Sequence, residues 1–193
     1  MNFEESKASQ IRTLPAKFET REENGELIIE GYFAVFDKPY FYSDEVYETV
    51  DRGAFANTLN EDIRALTNHV HHLVLGRNRS NTLTLIEDDF GLFGRIKVNP
   101  NDRDAVNLYE RVKRGDVDQC SFGFDIIREQ TDLLDDGRVH VRLQEVKLYE
   151  VSVVTFPAYE DTGVVAREKN AKEAKAKAGE IWRAAMLKKL KGE

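Results

Sequence analysis

The 193-residue chain lacks the features that mark several large classes of protein. It has a single cysteine, Cys120, so no internal disulfide can form, which is typical of proteins in a reducing cytoplasm. No apolar run approaches the roughly 18 residues that a membrane-spanning helix needs. The start of the chain, MNFEESKASQ, is acidic and polar and has no apolar segment of the kind found in secretory signals. These absences predict a protein that works in the cytoplasm without a membrane.

Charge is distributed unevenly along the chain. The net charge is −7, but residues 166–193 contain nine Lys or Arg and four Glu, so the preceding residues carry −12. Because nucleic-acid binding requires clustered cations that neutralise phosphates, the acidic body is not expected to bind nucleic acid. The change in composition predicts a folded domain over residues 1–165 and a basic helical tail over residues 166–193. The tail has one narrow apolar stripe, formed by Trp182, Met186 and Leu190.

The pattern of apolar residues predicts a strand-rich body with short helices. Residues 53–66 place apolar side chains at helical spacing, and a second helix is bounded by Asp102 as N-cap and Gly115 as C-terminal stop. Elsewhere apolar and polar residues alternate as in strands. Hairpin turns are predicted at Asn24-Gly25, Asp88-Asp89 and Asp136-Gly137.

One predicted strand, GDVDQCSFGFDII, has an apolar back and an unusual front. Cys120 and Phe122 alternate onto the apolar side, whereas Ser121 and Gly123 occupy the other side. A serine is nucleophilic when a base removes its proton, and the adjacent glycine would let a substrate backbone approach. Cys120 is the rival nucleophile, but its apolar surroundings would keep the thiol protonated and inert. On its own, this serine is more often a space-filling residue than a nucleophile.

A cluster of histidines offers a base. The stretch TNHVHHLVLG holds His69, His71 and His72, and a neutral imidazole suits proton transfer near neutral pH. Imidazoles also bind zinc, but no Asp or Cys stands at the spacing of a zinc hydrolase. A structural role for these histidines is also open.

A carboxylate stands where a strand face is otherwise apolar. Glu150 shares its strand parity with Val146, Leu148 and Val154 in the stretch EVKLYEVSVVTFPAY. Burying a carboxylate is costly unless a group donates hydrogen bonds to it. A histidine N–H or an arginine would serve, so Glu150 is either a catalytic partner or a structural ion-pair partner.

Taken together and in this order, these stretches resemble the prohead proteases of tailed bacteriophages, a serine peptidase family whose fold is similar to the herpesvirus assemblins. The resemblance covers about residues 12 to 166. It is most specific where three motifs occur jointly: an Asn-His pair, an S-x-G-F motif and an E-V-S-x-V-T-x-P-A motif. The matching segments are EGYFAVFD, VDRGAFANTL, LTNHVHHLVLGR, DDFGLFGRIKV, LYERVKRGDVDQCSFGFDI and LYEVSVVTFPAYEDTGV.

The resemblance implies a Ser-His-Glu triad with Ser121 as nucleophile, His69 as base and Glu150 as the acidic member. It departs from the family pattern at one point, because the family usually has an Asp after that histidine and this chain has Val70 followed by His71. The implied fold is α+β, mainly β: a closed or nearly closed β-barrel flanked by short helices, with a helical C-terminal tail. No cofactor or metal is implied.

The implied role is capsid maturation inside the phage prohead, in the host cytoplasm. The enzyme would be a serine endopeptidase that cleaves the scaffold protein, or the scaffolding part of the major capsid protein, and then itself. The basic tail would be a docking or self-cleaved segment, and association into a homo-oligomer is compatible with this role. Two alternatives stay open: a non-catalytic assembly protein that keeps the fold, and a metal-dependent hydrolase that uses the histidine cluster.

Overall fold

The computed structural model describes residues 10–15, 17–156 and 160–191 of the chain. The described part contains eleven strands, one short 3-10 helix and two α-helices. In chain order these are β1 (Gln10–Pro15), β2 (Glu19–Glu23), β3 (Glu26–Val35), β4 (Tyr40–Ser43), β5 (Val46–Val50), β6 (Arg64–Thr67), β7 (Val70–Arg77), the 3-10 helix (Asn78–Ser80), β8 (Leu83–Glu87), β9 (Gly91–Val98), α1 (Arg103–Arg114), β10 (Gln119–Leu133), β11 (Val139–Val154) and α2 (Glu160–Lys191).

The centre of the larger sheet is the long hairpin of β10 and β11. Its turn contains Gly137 at a φ of 83°, a conformation that glycine adopts without steric cost, as the Asp-Gly signal predicts. β1 pairs with the outer edge of β10 in antiparallel register. The other edge of β11 is shared, since β5 pairs in parallel with its first part and β6 with its last part. β4 extends β5, and β7 extends β6.

A second, four-stranded sheet has the order β2-β3-β9-β8. The expectation of a closed or nearly closed barrel is wrong, because the described strands form two sheets that share no strand pairing. The division at β11 explains this difference. A strand whose edge serves two partners branches the sheet, so the pairing does not continue along one path that could close on itself.

One predicted helix is confirmed and the other is wrong. α1 begins after Asp102, whose side chain accepts hydrogen bonds from two backbone N–H groups, and it ends at Gly115 in the left-handed conformation. Residues 53–66 form turns and then β6 instead of a helix. Phe55 and Ile63 are buried there as expected, but the pairing of β6 with β11 takes precedence over the helical spacing.

The main core lies between the two sheets and α1. Large side chains without exposed surface fill it, including Phe33, Phe55, Phe122 and Phe124. Cys120 is buried in the same core, on the side of β10 that the alternation predicts. This packing fixes the position of β10, and therefore of the polar residues on its other face.

The helix α2 packs against the larger sheet through small side chains. Ala171, Ala174 and Ala178 are buried in a second cluster with Val46 and two other valines of the sheet, Val139 and Val141. Trp182, Met186 and Leu190 are exposed, so the predicted apolar stripe makes no core contact with the body. No helix within the described ranges combines the length and the apolar character needed to cross a bilayer.

Candidate active site

His69 lies in a strained two-residue turn between β6 and β7. Asn68 and His69 have φ angles of 50° and 59°, and Thr67 pairs with Val70 on either side of them. The predicted hairpin turn at Asn24-Gly25 has the same signs of φ but places glycine at the second position. A bulky residue in this left-handed region costs on the order of 1–3 kcal/mol and persists only where its surroundings hold it, most often at functional sites.

The strand β11 supplies the contacts that hold this turn. The backbone N–H of Asn68 donates to the carbonyl of Val153 at 3.0 Å, and its side-chain Oδ1 accepts from the N–H of Thr155 at 2.9 Å. The backbone N–H of His69 donates to Ser152 Oγ at 3.3 Å. The turn is therefore attached to the last part of β11, which also carries Glu150.

His69 and Glu150 are in direct contact. Nδ1 of His69 lies 2.7 Å from Oε1 of Glu150, and both side chains are mostly buried. Since a carboxylate only accepts hydrogen bonds, this contact places the imidazole proton on Nδ1 and leaves Nε2 as an acceptor. Nε2 is buried and has no hydrogen-bond partner among the described residues. The pair thus presents an unoccupied base atom inside the site.

Gly123 makes room for Glu150. A Cβ at this position would lie 2.6 Å from Oε1 of Glu150 and 3.2 Å from its Cγ. The space in front of the glycine is therefore filled by the carboxylate, and the expectation that it admits a substrate backbone is wrong. The two residues face each other across β10 and β11, in the register that pairs Gly123 with Glu150.

Ser121 is the next residue on this face, and its hydroxyl is hydrogen-bonded to β1. The register pairs it with Ser152 on one side and with Thr13 of β1 on the other. Its Oγ donates to the carbonyl of Arg12 at 2.9 Å and accepts from the Thr13 hydroxyl at 3.1 Å. The side chain has no exposed surface. Within the described ranges it makes no hydrogen bond to His69.

Ser152 was not anticipated as a site residue. Its Oγ donates to Oε2 of Glu150 at 2.6 Å, and the residue is fully buried. The sequence contains a signal for it, because Ser152 follows Glu150 by two positions and so shares its strand face. The cross-strand register with Ser121 is what brings it into the site, and that register is not visible in the sequence.

The other histidines lie elsewhere. His71 and His72 are on β7 with exposed side chains. The fourth histidine, His140, is stacked on Tyr47 in the first part of β11. Burial lowers the pKa of His140, and the positive charge of Arg142 adds to that effect. No three His, Cys, Asp or Glu side chains of the described residues come together in a way that could hold a metal ion.

A buried ion pair fixes β1 next to Ser121. Nε and Nη2 of Arg12 donate to the two carboxylate oxygens of Glu48 at 2.6 and 2.8 Å, and both side chains are almost fully buried. The hydroxyl of Tyr42 also donates to Glu48. Burial and the charge of Glu48 raise the pKa of Tyr42, so this hydroxyl remains a donor. Burial opposes the charge on Arg12, but Glu48 outweighs it and the pKa of Arg12 is raised.

Comparisons with known proteins agree with one another. The family model described as caudovirus prohead serine protease matches residues 15–177. The prohead protease of Enterobacteria phage HK97 is 30% identical over 139 residues, which is 72% of this chain and 59% of that protein. The chain therefore spans less than two thirds of the length of this relative.

A solved structure shares the fold. The capsid assembly protease gp21 of bacteriophage T4 superposes with a TM-score of 0.53, covering 78% of this chain and 98% of that one. The two sequences are 15% identical, so the likeness concerns the fold alone. It agrees with a mainly β architecture that also contains helices.

Proposed function

Because the chain belongs to the caudovirus prohead serine protease family, we propose that it is a serine endopeptidase of capsid maturation with Ser121, His69 and Glu150 as its catalytic triad. The hydrogen bond between Nδ1 of His69 and Glu150 carries this proposal. It joins the predicted base and the predicted carboxylate on the sheet face that also carries Ser121. His71 and His72 make no such contact among the described residues.

The chemistry follows from the position of the proton. Nε2 of His69 accepts the hydroxyl proton of Ser121 as Oγ attacks the carbonyl carbon of a peptide bond. The imidazolium then gives this proton to the leaving amine, and an acyl-enzyme remains. A water molecule, deprotonated by the same Nε2, attacks the acyl carbon, and the imidazolium returns this proton to Ser121 Oγ as the new carboxyl end is released. Glu150 holds the tautomer and stabilises the imidazolium throughout.

The proposal includes an opening step. In the resting arrangement the Ser121 hydroxyl is buried and donates to the Arg12 carbonyl, so it has to turn toward Nε2 before it attacks. Catalytic hydrogen bonds are often long or misaligned before substrate binds and form only in the substrate complex. Because Ser121 has no exposed surface, the proposed opening step includes movement of the groups that cover it as well as rotation of its hydroxyl about χ1.

The proposed substrates are the phage scaffold protein, the scaffolding part of the major capsid protein, and the protease itself. Its proposed place of action is the interior of the prohead in the host cytoplasm. The proposed organisation is a protease domain over residues 1–165 and a docking or self-cleaved tail over residues 166–193. Ala171, Ala174 and Ala178 of α2 are buried against the larger sheet, so within the proposed tail the docking role falls to the residues after Ala178.

The burial of Ser121 favours one alternative, a non-catalytic assembly protein that keeps the fold. Both functions are tested by co-expressing the chain with capsid and scaffold proteins and by measuring the masses of all products. The proposal predicts shortened capsid or scaffold protein with the unchanged chain and intact partners with Ser121→Ala. Cys120→Ala serves as the matched control and should cleave normally, because Cys120 faces the core. Intact partners with the unchanged chain, in shells that contain it, would support the alternative.

A further inference from the structure

The hydroxyl of Ser152 connects the two halves of the His69–Glu150 pair. It donates to Oε2 of Glu150 at 2.6 Å and accepts from the backbone N–H of His69 at 3.3 Å. The residue has no exposed surface, so no water competes for these bonds. One side chain therefore contacts both the carboxylate and the backbone of the residue that the carboxylate orients.

The carboxylate of Glu150 needs this second contact to keep one orientation. Its Oε1 faces Nδ1 of His69, and its Oε2 is held by Ser152. A carboxylate with a single donor can rotate about its Cγ–Cδ bond and still keep that donor. With a donor on each oxygen, the plane of the carboxylate is fixed. Oε1 then stays in position to accept the hydrogen bond from Nδ1 of His69.

The same hydroxyl holds the backbone of His69. The left-handed φ of His69 is unfavourable for a residue with a side chain, and of the contacts that attach the turn to β11, this is the one made by the backbone of His69 itself. Loss of the hydroxyl would remove an acceptor from a partly buried N–H group and release the carboxylate at the same time.

We infer that Ser152 is a positioning residue, which fixes the Nδ1–H tautomer of His69 by orienting Glu150 and by holding the backbone of the turn. The inference rests on the proposed function, since the tautomer determines whether Nε2 can act as a base. Ser152 acts through its two neighbours and takes no part in the bond changes. In metal sites, groups that orient a ligand in this way typically alter affinity or activity by about 10- to 100-fold when removed.

The test compares Ser152→Ala with the full-length chain by ¹⁵N NMR of the imidazole of His69, at an alkaline pH where imidazoles are neutral. The unchanged chain should show the Nδ1–H tautomer predominating. Ser152→Ala should populate the Nε2–H tautomer substantially, and its reaction with a fluorophosphonate probe should slow by roughly tenfold. Thr131→Val is the matched control, because the buried Thr131 hydroxyl has no hydrogen-bond partner in the part of the chain that the structure describes.

Two results would overturn the inference: an unchanged tautomer ratio in Ser152→Ala, or equal losses in Ser152→Ala and Thr131→Val. If Ser152→Ala does not fold, Ser152→Cys decides, since a thiol fills nearly the same space but is a weak donor. A partial tautomer shift in that variant supports the inference, and the unchanged ratio contradicts it. The tautomer is measured without any substrate, so it does not depend on activity. If the Ser121→Ala variant still cleaved its partners, the proposed function would be refuted, but the tautomer measurement would remain valid.

Discussion

The side chain of Glu150 fills the space that a side chain at Gly123 would occupy on the front of the larger sheet. The absence of a side chain at position 123 therefore allows Glu150 to reach His69. The carboxylate extends over the bare backbone of β10 on its way to His69. Any side chain at position 123 would meet Oε1 closer than van der Waals contact allows. The glycine therefore leaves room for the carboxylate of the proposed triad, and the S-x-G-F motif contains the residue that makes this room as well as the proposed nucleophile.

Gly123→Ala should slow the reaction with a fluorophosphonate probe by roughly 100-fold, because a catalytic group displaced by about 1 Å loses that much rate. The fold should persist, as the carboxylate can move where the backbone cannot. Gly179→Ala is the control, since an added Cβ there has no neighbour within 4 Å. Equal reaction rates in the two variants would show that the Glu150 position is not required.

His69→Asn separates the chemistry of His69 from the strain of its backbone. Asparagine tolerates the left-handed conformation better than alanine does, so the turn should form with little change in the melting temperature. Loss of the base should abolish labelling by the probe to the same extent as Ser121→Ala. The double variant His71→Ala/His72→Ala should lose less than roughly tenfold in labelling, because both residues are exposed and the hydrogen bond to Glu150 is made by His69. Loss of labelling in that double variant alone would move the base to β7.

The candidate site residues could be proposed from the sequence, but their contacts could not be predicted from it. Ser121, His69 and Glu150 stand in motifs that identify a family. The position of Ser152 in the site depends on the register that pairs it with Ser121 across β10 and β11. A shift of one residue in that register would place it on the other face.

At the scale of elements, β1 is attached to the sheet by a side-chain ion pair as well as by its strand pairing. The ion pair of Arg12 with Glu48 ties β1 to β5, and the next residue along β1, Thr13, contacts the hydroxyl of Ser121. A buried pair of this kind does not necessarily add stability compared with apolar residues, but it is costly to break. Its effect here is to fix β1, and with it the Arg12 carbonyl, beside Ser121.

Arg12→Leu should lower the free energy of unfolding by about 3–5 kcal/mol, because Glu48 would remain buried without its cation. Urea unfolding measures the change. Arg114→Leu is the control, since its ion pair with Asp116 lies at the surface and such pairs contribute roughly 0–1 kcal/mol. The double variant Arg12→Leu/Glu48→Leu should recover part of the loss. An Arg12→Leu chain as stable as the control would refute the anchoring role.

Elements with local signals were predictable, and those set by distant pairing were not. α1 has its cap, its stop and its buried face in one stretch of sequence. Residues 53–66 have a helical spacing as well, but β6 gains a partner on β11, some 85 residues later, and that pairing wins. The same division of β11 between β5 and β6 explains why a barrel could not be excluded from the sequence.

At the scale of the whole molecule, α2 divides into a docked part and a projecting part. The buried alanines end at Ala178, and every residue from Ile181 to Lys191 is exposed. The family match ends at residue 177, close to the same point. The projecting part carries the exposed Trp182, Met186 and Leu190, so we assign the proposed docking role to this segment.

A chain ending at Gly179 should keep the melting temperature of the full chain and cleave equally well, because it retains all three buried alanines. A chain ending at residue 166 should be less stable, since Val46 and its neighbours lose their cover. In a Ser121→Ala background, which prevents self-cleavage, the chain ending at Gly179 should fail to enter precursor shells that package the full-length Ser121→Ala chain. Normal packaging would show that the body itself directs entry.

The most direct test of the central claim is to label the full-length chain with a fluorophosphonate probe and to locate the label by peptide mapping. The account predicts a single labelled peptide that contains Ser121, with the phosphorus bonded to its Oγ. Labelling should disappear in Ser121→Ala and in His69→Asn and should persist in Cys120→Ala. A label on another residue, or a chain that cleaves capsid protein without being labelled, would contradict the assignment of Ser121 as the nucleophile.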